Sequence, residues 1–233
     1  MKRSKPLCIA HRGGHAGDFK KENSLAAIKN SLAQGAQAFE IDVWLVDNEL
    51  IVFHDRRLSR FTNNDKKITD CTVAELKQQA DTHGFEVPTL LEIMELINGQ
   101  ALLNIELKGP GCATAVCQLL QQRVNAGANV PKDFVVSSFD QPQLVYCLNH
   151  FPELPRGLLI CGIPADLAHQ AEQLRCQFLG FSLEFISQAL IDDCHKKGIN
   201  AWVYTVNQAD DFAQLADMGV DGIFTDYPSK FIG

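Results

Sequence analysis

The feature that most constrains this chain is a repeated order of helix, glycine and strand. Short apolar runs recur along it: LCIA, AFEIDVWL, LIVF, ALLNIEL, FVVSS, GLLI, FLGFS, NAWVYTV and DGIFT. Amphipathic segments with readable ends lie between them. Asn23 is placed to cap a helix over SLAAIKNSLAQ, which Gly35 stops. Thr72 with Glu75, and Thr89 with Glu92, have the spacing of capping boxes. Ser187 and Gly198 bracket QALIDDCHKK, and Asn207 and Gly219 bracket QADDFAQLADM. Strands separated by helices pair in parallel through crossover connections. About eight such units fit an α/β architecture of the (β/α)8 TIM-barrel type better than an open sheet.

One stretch breaks the rhythm. Residues 55–88 are polar, rich in Asp, Asn, Lys and Thr, and hold one short helical pattern. They read as a small insertion after the second strand unit, within a single domain covering residues 1–233. A hydrophobic fraction of 46% and a charged fraction of 21% suit one soluble core of this length. The net charge of −7 argues against a nucleic-acid or anionic-membrane binder, whose affinity rests on basic patches. A small phosphate-bearing substrate in a local pocket stays compatible with it. The apolar run Pro6 to Ala10 is too short for a signal-peptide core, and no run reaches membrane-span length. The eight cysteines include no CxxC pair, so they read as thiols in a reducing compartment. A cytoplasmic location is expected. The oligomeric state stays open.

In a parallel barrel, polar residues at the C-terminal ends of strands are the candidates for chemistry. LCIA runs directly into His11-Arg12-Gly13. In FEIDV, Glu40 and Asp42 alternate with Phe39, Ile41 and Val43, so both acids share one face. The continuation through Asp47-Asn48 ends on His54-Asp55. In LNIELK, Asn104, Glu106 and Lys108 share a face, with Leu103, Ile105 and Leu107 on the other. Three carboxylates turned into a barrel are costly unless paired or bound to a cation. Glu40, Asp42 and Glu106 offer only oxygen, which points to one hard divalent ion, Mg²⁺, Ca²⁺ or Mn²⁺, rather than zinc. Each group alone has a plainer reading: a solvent-facing edge strand, a Glu106–Lys108 ion pair, a polar turn, a structural histidine. Their shared position at successive strand ends favours the site. His15 follows two glycines and reads as a loop residue. His83, His150, His169 and His195 read as surface positions, and Asp192, Asp193, Lys196 and Lys197 as a solvated helix face.

In this order, AHRGG, KENSLAAI, FEIDVWLVDNELIVFHD, LNIELKG, VYTVN and GIFTDYP resemble the signatures of the glycerophosphodiester phosphodiesterase family over essentially the whole chain. The resemblance implies a metal-dependent barrel enzyme that cleaves glycerophosphodiesters to glycerol 3-phosphate and an alcohol. It places the metal on Glu40, Asp42 and Glu106, the catalytic pair on His11 and His54, and the phosphate-binding cations on Arg12 and Lys108. It also suggests a two-step route through a cyclic phosphate. The chain departs from the family's pattern at three places. Lys21-Glu22-Asn23-Ser24 stands where Pro-Glu-Asn-Thr is usual, and the loop from His11 to Glu22 is slightly long. Tyr204 stands where tryptophan is usual, with Trp202 two residues earlier on the same face. Trp202 and Tyr204 are therefore expected to shape the substrate pocket. The rivals are a phospholipase D-like or sphingomyelinase D-like relative acting on lipids, and a non-catalytic phosphodiester-binding barrel.

Overall fold

The computed structural model describes residues 5–232. The basic start of the chain, with Lys2 and Arg3, lies outside the described residues. Eight strands run parallel: β1 (Leu7–Ala10), β2 (Ala38–Val46), β4 (Leu102–Leu107), β5 (Phe134–Ser138), β6 (Arg156–Ile160), β7 (Phe178–Ser182), β8 (Asn200–Tyr204) and β9 (Gly222–Thr225). β1 pairs with both β9 and β2, which closes the sheet into a (β/α)8 barrel. The LIVF run forms β3 (Glu49–Val52), which is no barrel stave. It pairs antiparallel with the far end of β2. Asp47 and Asn48 make the two-residue turn, with φ of 51° and 64°, the left-handed pair that a tight hairpin requires.

The helices are α1 (Leu25–Ala33), α2 (Val73–His83), α3 (Leu90–Ile97), α4 (Cys112–Asn125), α5 (Gln141–His150), α6 (His169–Gln173), α7 (Gln188–Lys196) and α8 (Ala209–Met218). Both capping boxes form, Thr72–Glu75 on α2 and Thr89–Glu92 on α3. Two cap assignments move by one residue. Ser24, not Asn23, caps α1, its hydroxyl accepting from Ala27 N at 3.0 Å. Gln208, not Asn207, precedes α8. In both cases a carboxylate competes for the amide: Asn23 donates to Asp42 and Asn207 to Asp226. A charged acceptor makes the stronger bond.

Alternation along the strands sorts the side chains into two layers. Phe39, Ile41, Val43, Leu103, Ile105 and Leu107 point outward and pack on α3 and α4. Inside, Ile9, Ala38, Val135, Leu159, Phe178, Trp202 and Phe224 fill the barrel. Phe178 and Trp202 stack at 3.9 Å between ring centres. Glycines make room for them: a Cβ on Gly157 would stand 2.0 Å from Phe178 Cε1. On β2 and β4 the inward face changes to Glu40, Asp42, Asn104 and Glu106 toward the C-terminal ends, with Glu40 beside Asn104 and Asp42 beside Glu106. The segment between β3 and α3 carries its own small core, where Phe53, Phe61 and Phe85 pack over Leu58, Ile68 and Leu76. No described helix is long and apolar enough to cross a membrane. All eight cysteines are free, and six are buried; Cys161 is exposed.

Candidate active site

β1 ends in a tight turn, His11–Gly13, in which Arg12 has φ 48° and Gly13 and Gly14 have φ near 80°. Side chains other than glycine rarely adopt that region. The turn sits hard on α1, since a Cβ on Gly13 would lie 2.9 Å from Ile28 Cγ1. This close seating turns the His11 ring and the Arg12 backbone N–H toward β2. Arg12 N donates to Glu40 Oε2 at 2.9 Å, and His11 Nε2 lies 3.9 Å from the same oxygen. The Arg12 guanidinium donates to Glu22 Oε2 at 3.0 Å and stands 3.6 Å from Asp42 Oδ2. Lys108, just past β4, donates to Glu106 at 2.7 Å and lies 3.3 Å from Asp42.

The electrostatics divide the three carboxylates. Burial, then the charges of Asp42 and Glu106, push Glu40 well above the ordinary carboxylate range. Burial and Asp42 push Glu106 up as well. For Asp42 burial also opposes ionisation, but Lys108, His54, Arg12 and the Asn23 amide outweigh it and hold the group low. Such crowding of like charges resolves when a cation enters. One oxygen from each of the three acids lies within 4.8 Å of the others. Glu40 Oε1 is buried with no hydrogen-bond partner, and so are both amide atoms of the neighbouring Asn104. An oxygen-only set with an unpartnered carboxylate oxygen fits a hard divalent ion.

The two histidines are built alike. His11 Nδ1 is 2.7 Å from Asp226 Oδ1, and His54 Nδ1 is 2.6 Å from Asp55 Oδ1. In each ring this leaves Nε2 for the cavity. Burial lowers the His11 pKa, against the raising effect of its Asp226 hydrogen bond, so the neutral ring is favoured. Asp226 is held low despite burial by His11, His15 and Asn207. His15 lies in a loop, as its sequence position suggests, and its Nε2 is 3.0 Å from Asp226 Oδ1.

A cavity of about 140 Å³ at this end of the barrel brings together His11, Arg12, Glu40, His54, Glu106 and Lys108. Asp42 lies just beneath, 1% exposed. Tyr204 lines the cavity wall with Phe139, its hydroxyl donating to Ile160 O at 2.6 Å. Trp202 does not reach the cavity. It lies a layer deeper, packed on Phe178, because two residues along a strand return to the same face but lower in the barrel. His195 is an exposed partner of Asp221, and Asp193 pairs with Lys197.

Sequence reasoning missed Asp226, Asn207, Glu22, Asn23 and Arg60. Asp226 follows directly on β9, so the strand-end argument applied to GIFTDYP would have found it. Arg60 has no such signal, because it lies in the insertion.

A closed parallel barrel with charged and titratable side chains gathered at the C-terminal ends of its strands has the architecture of a barrel enzyme. The profile of the Glycerophosphoryl diester phosphodiesterase family matches residues 11–230. The chain is 32% identical to a glycerophosphodiester phosphodiesterase of Caldanaerobacter subterraneus subsp. tengcongensis, over 98% of this chain and 97% of that one. It is similar to the structure of an Oleispira antarctica phosphodiesterase in complex with the product sn-glycerol-3-phosphate, with TM-score 0.85 and 31% identity over 97% and 95% of the two chains. A lysophospholipase D of Homo sapiens is 23% identical over 95% of this chain and 83% of its own length. The chain belongs to the glycerophosphoryl diester phosphodiesterase family, and it is an enzyme of the phosphoric diester hydrolase class.

Proposed function

We propose that the chain hydrolyses glycerophosphodiesters such as glycerophosphocholine to glycerol 3-phosphate and an alcohol. Glu40, Asp42 and Glu106 would hold one divalent cation, and His11 and His54 would move the protons. The observation that carries this reading is the pair of carboxylate-backed imidazoles flanking an oxygen-only cluster. The product bound by the Oleispira antarctica relative supports the substrate class. A bound Mg²⁺, Mn²⁺ or Ca²⁺ would neutralise a phosphoryl oxygen and lower the pKa of a nearby hydroxyl.

The rest falls to the chain's own groups. Arg12 and Lys108 face the cavity with their charges already fixed by Glu22 and Glu106. They are therefore set to stabilise the extra charge of a pentacoordinate phosphorus without reorganising. The glycerol hydroxyl beside the diester attacks phosphorus and gives its proton to one imidazole. The bond to the departing alcohol breaks, and that oxygen takes a proton from the other imidazole. Water then opens the cyclic phosphate with the imidazole roles reversed. Intramolecular attack can remove about 7–11 kcal/mol from the barrier. Tyr204 contributes to the wall that receives the substrate, and Trp202 supports that wall from below. The eight free cysteines favour a cytoplasmic setting.

An analogue with that hydroxyl replaced by hydrogen tests the route. It should bind and hardly turn over; turnover close to that of the parent diester would reject the cyclic step. A second reading, hydrolysis of lysophospholipids, is favoured by Phe139 on the cavity wall and Ile163 beyond it, each 47% exposed. Choline release from lysophosphatidylcholine at a rate rivalling that from glycerophosphocholine would support it.

A further inference from the structure

The insertion reaches back into the mouth of the barrel through one side chain. Arg60 ends a short turn, Leu58–Arg60. Its Nε donates to Asp55 Oδ2 at 2.7 Å and its Nη2 to Asp55 Oδ1 at 2.9 Å. On the other edge Nη1 donates to Glu22 Oε2 at 3.0 Å, and Nη2 also bonds Glu22 Oε1. Each of these carboxylates has a second task. Asp55 holds His54 Nδ1, and Glu22 Oε2 also accepts from Arg12 Nη1 at 3.0 Å. The guanidinium lies over the Phe61 ring, 4.6 Å from its centre, and faces Phe19 at 5.6 Å. Its plane is thus fixed by two aromatic rings and two carboxylates.

We propose that Arg60 is a positioning residue that sets His54 through Asp55 and Arg12 through Glu22, so that the insertion orients both sides of the phosphate site at once. The proposal rests on the roles given above to His54 and Arg12. The Glu22 side chain is only 3% exposed, and a carboxylate so buried needs full compensation. Two guanidiniums share that task. Without Arg60, both Glu22 oxygens compete for Arg12 and draw it away from Asp42 and from a bound phosphate. Asp55 at the same time loses the fork that fixes its plane, and the His54 ring loses its aim. A lysine cannot replace this arrangement, because one ammonium lacks the planar fork that serves two carboxylates.

The test compares Arg60→Ala and Arg60→Lys with the parent on glycerophosphocholine, under saturating Mg²⁺, with His54→Ala and Arg12→Ala run alongside. For Arg60→Ala, kcat should fall by about tenfold or more, the scale at which supporting partners of a reactive group act. KM should rise as well, and Arg60→Lys should recover only part of either loss. Millimolar guanidinium should restore rate to Arg60→Ala and leave the parent unchanged. The His54 Nδ1 proton resonance should shift or broaden, which a remote packing defect would not cause. Kinetic constants within twofold of the parent would overturn the proposal. A loss that guanidinium does not rescue, and that matches a loss of folded protein, would also overturn it. If Arg60→Ala does not fold, Arg60→Lys, which keeps the charge over Phe61, carries the test by the same kinetic criterion. Parent-like His54→Ala and Arg12→Ala would instead reject the roles on which the proposal rests.

Discussion

At the scale of the residue, each imidazole at the mouth is held from behind. His11 and His54 both spend Nδ1 on a carboxylate, which fixes tautomer and ring plane. His11→Ala and His54→Ala should each lower kcat by about 10²–10⁴-fold with little change in melting temperature. His195→Ala, which alters only an exposed pair with Asp221, should leave turnover at the parent level. Asp226→Asn presents an amide N–H to His11 and so favours the wrong tautomer. A kcat loss on the order of 10²–10⁴-fold with KM little changed is expected from steady-state kinetics. The carboxylate cluster gives a pH signature. The folded protein holds the Glu40 proton more tightly than the unfolded chain does. In the metal-free protein, stability is therefore lost as pH rises above the ordinary value of 4.5 toward the raised one. In chelator at pH 8, Glu40→Gln should melt above the parent, and the advantage should vanish near pH 4. Thermal melts across pH check this; a less stable Glu40→Gln at pH 8 would contradict it. Glu40, Asp42 and Glu106 were legible because alternation on β2 and β4 exposes the acids to a period-two reading. Asn23 was misread because Asn23 and Ser24 are both good caps, and only the tertiary position of Asp42 decides between them.

At the scale of the element, the caps and the glycines carry the local information. The boxes at Thr72 and Thr89 were readable because both partners lie within four residues of each other. The LIVF run was readable as a strand, but its place beside β2 depends on two consecutive left-handed residues at Asp47 and Asn48. The segment between β3 and α3 reads as polar in the sequence, yet it buries Phe61, Ile68 and Leu76 in a small core of its own. The fork by which Arg60 spans Asp55 and Glu22 was not, since residues 38 positions apart in the chain meet there. Gly157 is the element-scale test of the barrel interior. Gly157→Ala would drive a Cβ into Phe178, so a loss of about 1–3 kcal/mol or more is expected in denaturant unfolding.

At the scale of the whole molecule, closure of eight parallel strands gathers residues from the beginning, middle and end of the chain at one mouth. His11 meets Asp226 across 215 positions, and Arg12 meets Glu40 across 28. The architecture was legible because helix, glycine and strand repeat with a regular order. Which strand ends face one another was legible only through the barrel rule, and Trp202 shows its limit. A shared face does not say how deep in the barrel a side chain lies. The net charge of −7 contrasts with the cationic side chains Arg12 and Lys108 at the mouth. The buried acid cluster is proposed to serve phosphodiester cleavage by holding a hard cation. Release of glycerol 3-phosphate from glycerophosphocholine, followed through chelation and readdition of Mg²⁺, Mn²⁺ or Ca²⁺, tests it most directly. The expected result is loss of turnover in chelator, recovery with at least one of these ions, and a raised melting temperature on recovery. Full turnover in chelator, with no effect of the ions on melting, would contradict it.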